Sequence, residues 1–592
     1  MTESTPKPAA SSLSLHRTRW QRYLPILVWL PGYQRSWLRL DLLAGLTILG
    51  TTVPTAMGYA AVAGLPPQAG LYASMMGLFA YAIFGTSRQL KVEASPSMAI
   101  MTAAIVGPLA ISGSAYYMAL AAALGLIVGA ILVVAGAARM GYLADFLARP
   151  VVTGYLFGLA LTIAMAVSPK LVGLPPAGPG DFLPQVRALA SGSMQVNGWT
   201  IAISLGAFGV ILLLRRFAPR LPGALVLVLL GIALVSVFNL TEKGVAVVGP
   251  IPNGLPSLQV PWIHLADLVI LLVGGAGMVF LALAESLGSA RTVRFERRER
   301  IDPDQELIAL GIANVSAGLF QGLAVDANLA TSATASSVGS RSQLSSLFTA
   351  AFLVMVLILP GQFLSNVPSA ILAVAVIMSV VRFMDVQELR RLYRSRLTDF
   401  VLALAALVGV ITAGVLGGLL LAVFLSLAIV LYRASRPHIA LLGKVLGHQA
   451  YGDLARSPDA LQVPGLLIVR PDVQLFFANA NAVGSQIVRL VGEHPQPVRA
   501  VLIDLGASAD IDVASLDMLS DLIDDLGDVG VRVLLAEVAE KTVDRLQRAG
   551  LLARLGEEHV YLDVVEAVED FTRTPETRQS ETSVKEQEPD RP

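Results

Sequence analysis

Long apolar runs fill the chain from residue 41 to about residue 435, and Gly, Pro and short charged clusters separate them. A helix that spans a bilayer needs about 20 mostly apolar residues. Runs of this kind begin near Leu42, Leu71, Tyr117, Asp145, Trp199, Leu221, Asp267, Leu307, Leu344, Pro368, Phe400 and Gly414. Two shorter runs, rich in Ser, Thr and Ala, follow Ser95 and Asn328. The pattern therefore predicts about fourteen helical segments, two of which are half-helices.

Positive charges lie mainly after the even-numbered segments. They are Arg139, Arg149, Arg215, Arg216, Arg220, Arg291, Arg294, Arg297, Arg298, Arg300, Arg390, Arg391, Arg394, Arg396, Arg433 and Arg436. The loops after odd-numbered segments hold little positive charge, namely Lys170, Arg187 and Lys243. Because cytoplasmic loops are enriched in Lys and Arg, we expect a multi-pass protein of the inner (plasma) membrane with both termini in the cytoplasm.

The two ends of the chain differ from this apolar region. Residues 1–22 are polar and lack the apolar stretch of a signal peptide, so we expect a disordered cytoplasmic leader. Residues 23–436 form the predicted transmembrane transporter domain, and residues 437–460 a linker. Residues 461–571 predict a small α/β domain, and residues 572–592 a disordered tail. In the α/β domain, strand-like and helix-like segments alternate: Pro464–Arg470, Ala500–Leu505, Ser515–Leu526, Val531–Ala536 and Thr542–Ala549.

Composition fits a membrane protein and excludes several classes of function. Hydrophobic residues make up 55% of the chain and charged residues 15%, whereas soluble proteins carry about 25% charged residues. Lys plus Arg and Asp plus Glu number 43 each, which gives no electrostatic reason to expect a nucleic-acid partner. The absence of Cys excludes disulfides and thiolate chemistry. We find no metal-ligand spacing, phosphate loop or nucleophile–base pair, so we expect no metal, no cofactor and no enzyme.

Several long motifs resemble those of the sulfate permease (SulP) family of anion transporters. They are Pro54–Ser74, Gly85–Leu90, Glu285–Arg291 and Glu306–Phe320. In the C-terminal domain, Phe477–Ala480 and Val501–Leu516 resemble the STAS domain of that family. The resemblance covers about residues 20–570 and implies an α-helical membrane domain of seven-plus-seven inverted repeats, with core and gate subdomains, before an α/β STAS domain. It also implies a homodimer, with the substrate between the N-termini of the third and tenth helices.

This geometry suits an anion because a helix N-terminus carries unpaired N–H groups and about half a positive charge. The candidate substrate-binding residues lie at these N-termini and in the first segment: Thr55, Tyr59, Ser95, Pro96, Ser97, Asn328, Thr331, Ser332 and Ala333. Pro96 suits the first helical position, where a missing N–H costs nothing. The alternative is that these small polar residues only pack helices together.

The departures from the family concern charge. Thr331 stands where the family carries an Arg, and two acids occur nearby, in the runs Val92–Ser95 and Val325–Asn328. Both runs read Val, acid, Ala, polar residue, as inverted repeats predict for a binding site. We consider their acids, together with the acid of the Glu285–Arg291 motif, as candidate protonation or coupling sites: Glu93, Glu285 and Asp326.

A structural alternative exists for each of these acids. Glu93 could pair with Lys91 or Arg88 near the cytoplasmic surface. Asp326 could cap the tenth half-helix. Glu285 could lie at the membrane interface or pair with Arg291.

We therefore expect a secondary active symporter of a small anion, either sulfate, bicarbonate or a dicarboxylate, that is coupled to H⁺ or Na⁺ and works by alternating access. One alternative is a proton-coupled permease for an uncharged or weakly acidic solute such as a nucleobase. Another is an anion channel or sensor. In the STAS domain, Ala514 stands at the family's phosphorylated Ser, which leaves an interaction module for a cytoplasmic protein partner. Ser515 is expected to cap the following helix.

Overall fold

The computed structural model describes residues 23–142, 148–175, 182–191, 196–218, 222–250, 254–287, 301–358, 361–448 and 450–573. The chain divides into two compact units, Met1–Leu427 and Ala428–Pro592. Several predicted features lie outside the described residues, namely the leader, most of the tail, Asp145, Arg220 and Arg291–Arg300.

Apolar helices build the N-terminal unit. They are α1 (Leu38–Val62), α2 (Pro67–Phe84), α3 (Pro96–Val106), α4 (Ala115–Ala137), α5 (Arg149–Leu171), α6 (Gly198–Phe217), α7 (Gly223–Phe238), α8 (Leu265–Ala282), α9 (Pro303–Leu319), α10 (Leu329–Val338), α11 (Leu344–Ile358), α12 (Ser369–Val380) and α13 (Leu397–Ser435). A π-helical turn, Leu283–Leu287, continues α8. Shorter helices lie at Ile26–Trp29, Phe182–Ser191, Gln362–Ser365 and Val386–Ser395. In the described part of the chain, seven helices are long and apolar enough to cross a membrane.

Thirteen helices account for the fourteen predicted segments because α13 contains two of them. Gly414 lies in its middle with φ 78° and ψ 175°, a backbone conformation that favours glycine. A Cβ atom added at Gly418 would lie 2.6 Å from the Cα atom of Val410. The chain therefore reverses at Gly414, and the two halves of α13 pack side by side. Within the described residues, the predicted count of helical segments is confirmed.

Two short strands lie at the centre of the helical unit. β1 (Val92–Ala94) and β2 (Val325–Ala327) pair antiparallel, with Glu93 directly opposite Asp326. Each strand leads into a short helix, α3 or α10. The two runs with matching sequence are thus equivalent in structure, as the inverted-repeat prediction requires.

The helices are grouped into the core and gate subdomains that the family resemblance implies. We call α1–α4 with α8–α11 the core, and α5–α7 with α12–α13 the gate. In the core, a Cβ atom at Gly129 of α4 would lie 2.6 Å from the carbonyl oxygen of Gly311 on α9. In the gate, a Cβ atom at Gly231 of α7 would lie 2.2 Å from Ile371 on α12.

We expect Gly154→Ala to destabilise the gate. A Cβ atom at Gly154 of α5 would lie 1.8 Å from the carbonyl oxygen of Ala403 on α13, so the helices must separate, and overpacking of this kind costs about 1–3 kcal/mol. Thermal unfolding of the detergent-solubilised protein measures the loss. The matched control is Gly206→Ala on α6, where nothing lies within 4 Å and the added helix propensity stabilises by about 1 kcal/mol. Equal unfolding temperatures for the two variants would contradict the close contact.

A six-stranded sheet forms the centre of the C-terminal unit. Its strands are β3 (Ile439–Lys444), β4 (Tyr451–Asp453), β5 (Leu466–Pro471), β6 (Ala500–Asp504), β7 (Arg532–Ala536) and β8 (Val560–Tyr561), in the order β4-β3-β5-β6-β7-β8. The strands β5 to β8 are parallel. The helices are α14 (Ala480–Gly492), α15 (Val513–Asp528), α16 (Glu540–Arg548), α17 (Leu551–Leu555) and α18 (Val564–Thr572). Val469 and Ile503 pack on one face of the sheet, Ile468 and Leu502 on the other.

The stretch 437–460 departs from its prediction as a linker, because it supplies β3 and β4. β3 pairs antiparallel with β5 and also with β4. Its residues Ile439 and Ala440 are both buried although they point to opposite faces of the sheet. A strand buried on both faces lacks the alternation of polar and apolar residues that marks a strand in sequence.

Asp512, and not Ser515, caps helix α15. The Oδ1 atom of Asp512 accepts hydrogen bonds from the backbone N (3.0 Å) and the Oγ atom (2.7 Å) of Ser515. Partial burial raises the pKa of Asp512, but the hydrogen bonds from Ser515 and from the backbone N of Phe477 outweigh it and hold the pKa below its usual value. The side chain of Ser515 is fully buried inside the helix, so the prediction that it caps α15 is wrong by one helical turn.

Candidate functional site

Helix α3 begins with its own cap. The Oγ atom of Ser95 accepts a hydrogen bond from the backbone N of Met98 at 3.2 Å, and Pro96 follows at the start of the helix. The hydroxyl groups of Ser95 and Ser97 lie 3.0 Å apart. The predicted position of Pro96 is therefore confirmed, while the cap already engages one of the N–H groups expected to face a substrate.

Helix α10 begins in the same way. The Oδ1 atom of Asn328 accepts hydrogen bonds from the backbone N atoms of Ala330 (3.0 Å) and Thr331 (3.3 Å). Asn328 is thus the cap, and the alternative that gave this role to Asp326 is wrong because Asp326 lies two residues earlier, in β2. The Oγ atom of Ser332 donates to the carbonyl oxygen of Asn328 at 2.7 Å and accepts from the backbone N of Lys91 at 2.9 Å. Ser332 therefore joins α10 to the segment before β1.

Glu93 places a buried carboxylate against the N-terminus of α10. Its Oε1 atom accepts hydrogen bonds from Asn328 Nδ2 at 2.9 Å and from the hydroxyl of Thr331, while its Oε2 atom accepts from Thr52 Oγ1 on α1 at 2.7 Å. The Nζ atom of Lys91 donates to the hydroxyls of two serines on α11, Ser345 and Ser346, and its charge lies within electrostatic reach of Glu93. The partners of Glu93 are therefore those of the helix N-terminus, where a negative charge is favourable.

Glu285 and Asp326 form a second group of acids, beside the N-terminus of α3. The Oε2 atom of Glu285 accepts a hydrogen bond from Ser97 Oγ at 2.8 Å. The Oδ1 atom of Asp326 accepts from the hydroxyl of Ser286 and from the backbone N of Ala327 at 2.7 Å. The two carboxyl groups lie within electrostatic reach of each other. Buried carboxylates in this arrangement repel, and a shared proton or a bound cation relieves the repulsion.

The two groups of acids are related by the repeat. Glu93 of β1 contacts a hydroxyl of α1 and the N-terminus of α10, whereas Asp326 of β2 contacts a hydroxyl of the π-helical turn after α8. At α3 it is Glu285 that accepts from a hydroxyl of the helix N-terminus, as Glu93 does at α10. Each half-helix thus starts beside a carboxyl group supplied by the protein itself.

A cavity of about 360 Å³ lies between the core and the gate. Its core wall is lined by Thr47, Thr51, Thr55, Tyr59, Asn328, Ala330, Thr331, Ala333, Thr334, Ser337 and Val338. Its gate wall is lined by Ile211, Leu214, Arg215, Pro222, Gly223, Ala224, Ala375, Met378, Ser379 and Arg382. The hydroxyl of Tyr59 donates to Ser379 Oγ at 2.8 Å and so joins the two walls.

The structure brings together only part of the predicted site. Five predicted residues line the cavity, namely Thr55, Tyr59, Asn328, Thr331 and Ala333. Ser95, Pro96, Ser97 and Ser332 are not among the residues that line it. The sequence interpretation missed the roles of Arg215 and Arg382 as lining residues. Arg215 belongs to the positive charges that mark cytoplasmic loops. The sequence therefore indicates a role in membrane orientation and contains no sign that Arg215 lines a cavity.

Comparison with known proteins agrees with the motifs. The sulfate permease family matches residues 38–406, and the STAS domain matches residues 457–567. A probable sulfate transporter of Mycobacterium tuberculosis is 37% identical over 551 residues, which is 92% of this chain and 98% of the relative.

Two solved structures share the fold. The murine Solute Carrier 26 family member A9 anion transporter is 19% identical with a TM-score of 0.85, over 95% of this chain and 96% of that chain. The transmembrane domain of the cyanobacterium bicarbonate transporter BicA is 24% identical with a TM-score of 0.58, over 66% of this chain and 98% of that chain. The predicted fold of inverted helical repeats with a STAS domain is confirmed.

Proposed function

Because the chain belongs to the sulfate permease family, whose members are membrane transporters and not enzymes, we propose that it is a secondary active transporter that moves a small anion together with protons. Sulfate, bicarbonate and a dicarboxylate are the candidate substrates. A relative named as a probable sulfate transporter and a structural neighbour named as a bicarbonate transporter support this range.

The observation that carries the proposal is the contact of Glu93 with Asn328 and Thr331. Both of these residues line the cavity, and both donate their side-chain hydrogen bonds to the carboxylate. While Glu93 is ionised, its charge repels an anion and holds these donors. A proton on Glu93 removes the repulsion and frees hydrogen-bond donors for the substrate. Anion binding and proton binding therefore favour each other.

Glu285 and Asp326 form the second proposed coupling site. Ser97 links Glu285 to the N-terminus of α3, and Asp326 belongs to β2, which leads into α10. The charge of this pair therefore lies near the starts of both half-helices. A proton shared by the two carboxyl groups would relieve their repulsion, and the hydroxyls of Ser97 and Ser286 already donate hydrogen bonds to the two groups. Na⁺ is the competing coupling ion, since carboxylate and hydroxyl oxygens also suit a hard cation.

The charge pattern supports an orientation in the inner membrane. Arg215 lies in the last turn of α6 and Arg382 just after α12. Both are even-numbered segments, whose ends carry the excess of positive charge. We place the mouth of the cavity, together with both termini, on the cytoplasmic side. We further propose that the transporter is a homodimer and that the STAS domain contacts a cytoplasmic protein.

A second candidate function is proton-coupled transport of a weakly acidic or uncharged solute such as a nucleobase. The observation that favours it is the presence of the acids Glu93 and Asp326 in the strands that lead into α3 and α10, together with first turns of these helices that contain no Arg. An uncharged solute that offers N–H donors would bind such carboxylates without repulsion.

Uptake by the purified protein in liposomes tests these functions. The substrates are labelled sulfate, bicarbonate, fumarate, succinate and uracil, each with an inward proton gradient, an inward Na⁺ gradient or no gradient. We expect the proton gradient to drive accumulation of at least one anion. Accumulation of uracil without any anion would favour the second function. Downhill flux that ignores both gradients would contradict active transport and favour a channel.

A further inference from the structure

Two guanidinium groups line the cavity from the gate side. Arg215 is in the last turn of α6, and Arg382 lies in the 3₁₀ turn that follows α12. The Nη2 atom of Arg215 donates to the carbonyl oxygen of Met378 at 3.5 Å, and Met378 lies one helical turn before Arg382. Both positive charges therefore belong to the same wall and face the same space.

Neither guanidinium group has a carboxylate partner among the ion pairs that the described residues form. Other arginines differ, since Arg149 of α5 and Arg391 of the short helix Val386–Ser395 both pair with Glu388, at 3.3 and 2.6 Å. Two unpaired cations that share a cavity repel each other, and a bound anion turns that repulsion into attraction.

The opposite wall supplies hydroxyl groups and no cation. Thr47, Thr51 and Thr55 follow one another at one-turn spacing on α1, and Thr331 and Thr334 lie on α10. No Lys or Arg lines the described core wall of the cavity. Positive charge for the ligand comes from the gate. The core hydroxyls donate to backbone carbonyl oxygens of their own helices or, for Thr331, to Glu93, so each must rotate before it can donate to an anion.

We propose that Arg215 and Arg382 form the gate half of a binding site for a dianion, such as sulfate or a short dicarboxylate. Two guanidinium groups balance two negative charges, whereas a monoanion such as bicarbonate leaves one of them uncompensated. Arg also suits planar or tetrahedral oxyanions because its N–H groups can donate in pairs. The inference narrows the substrate range of the proposed function and rests on the anion transport stated there.

The core and the gate contribute different groups to the site, so the anion keeps only some of its contacts when one moves against the other. In alternating access one group of helices moves against the other, so an anion that moves with the hydroxyl groups of the core leaves the arginines behind. Arg215 and Arg382 then determine how tightly the anion binds when it enters from the side to which the cavity opens. Their effect on the rate of the transport step is smaller than their effect on this binding.

Ligand-induced thermal stabilisation of the full-length protein in detergent tests the site without any need for transport. The probes are sodium sulfate, sodium succinate and sodium bicarbonate at constant ionic strength. We expect a dianion to bind the wild type more tightly than bicarbonate does. Arg215→Gln and Arg382→Gln should each weaken dianion binding about tenfold to hundredfold, the usual effect of losing a charged hydrogen bond.

Arg216→Gln is the matched control, because Arg216 neighbours Arg215 on α6 and lies beside the ring of Phe217 instead of the cavity. We expect wild-type affinity in this variant and partial recovery in Arg215→Lys and Arg382→Lys. Unchanged dianion binding in both Gln variants, an equal loss in Arg216→Gln, or tighter binding of bicarbonate would overturn the proposal.

The same experiment separates this inference from the proposed function. Arginine-dependent dianion binding in a protein whose transport ignores the proton gradient would leave the site standing and remove the coupling. Proton-driven anion uptake that is unchanged in Arg215→Gln and Arg382→Gln would leave the proposed function standing and remove the arginine site. Failure of every anion to bind would remove both.

Discussion

Glu93→Gln should make anion uptake insensitive to pH. We expect uptake by the wild type to be faster in mildly acidic than in mildly alkaline buffer, because in the proposed coupling only the neutral form of Glu93 admits the anion beside Asn328 and Thr331. Gln is neutral at every pH, so the ratio of the two rates should fall to about one. Exchange of labelled for unlabelled anion should continue in the variant, since the cavity and its hydroxyl groups remain.

Glu93→Ala should have a different and larger effect. Removal of the carboxylate leaves the buried side chains of Thr52 and Thr331 and the half-buried side chain of Asn328 without their acceptor. A buried donor left unsatisfied costs about 1–3 kcal/mol, so we expect less folded protein as well as lost transport. The comparison of Gln with Ala thus separates the charge of Glu93 from its structural contribution.

Glu306→Gln provides the control for burial of an acid in the core. The carboxylate of Glu306 accepts hydrogen bonds from Tyr81 at 2.7 Å and from the backbone N of Thr86 at 2.8 Å, and it does not line the cavity. We expect a lower unfolding temperature and an unchanged pH ratio of uptake. A pH ratio near one in Glu306→Gln, or a wild-type ratio in Glu93→Gln, would contradict the role of Glu93.

Glu285→Gln and Asp326→Asn should each abolish accumulation and leave downhill exchange. For each proton that accompanies the anion, a gradient of one pH unit can support about tenfold accumulation, provided that the membrane potential is clamped. Each variant keeps a neutral side chain of the same shape beside Ser97 or Ser286 but no longer exchanges a proton. We therefore expect the accumulation ratio to fall to about one, measured as labelled anion in proteoliposomes at steady state.

Coupling to Na⁺ gives a different result in the same assay. A Na⁺ gradient would then drive accumulation by the wild type, and the proton gradient would not. Full accumulation by both variants under a proton gradient would show that the pair of acids is structural.

Much of the fold could be predicted from sequence, because spanning helices need long apolar runs and half-helices leave short ones. The pairing of β1 with β2 also has a sequence signal, since the runs around Glu93 and Asp326 match. The hydrogen-bond partners of Glu93 have none. Thr331 is more than 200 residues from Glu93 along the chain, and only the folded repeat brings them together, whereas Lys91 is the obvious neighbour in sequence.

Two further differences have physical causes. The sequence interpretation treats Arg215 as a marker of membrane orientation and does not single out Arg382. Their place on one cavity wall follows from the packing of α6 against α12. The strand β3 was hidden because both of its faces are buried, which removes the alternating pattern. In both cases the missing information concerns tertiary contacts, which the local pattern of residues does not contain.

The most direct test of the account is a measurement of proton movement caused by the anion itself. Purified protein is placed in liposomes that contain a pH-sensitive dye, with equal pH on both sides and the membrane potential clamped. Addition of sulfate or succinate outside should acidify the lumen of wild-type liposomes, and Glu93→Gln and Glu285→Gln should show no acidification. Entry of labelled anion into wild-type liposomes without acidification would contradict the claim that the anion and protons cross together.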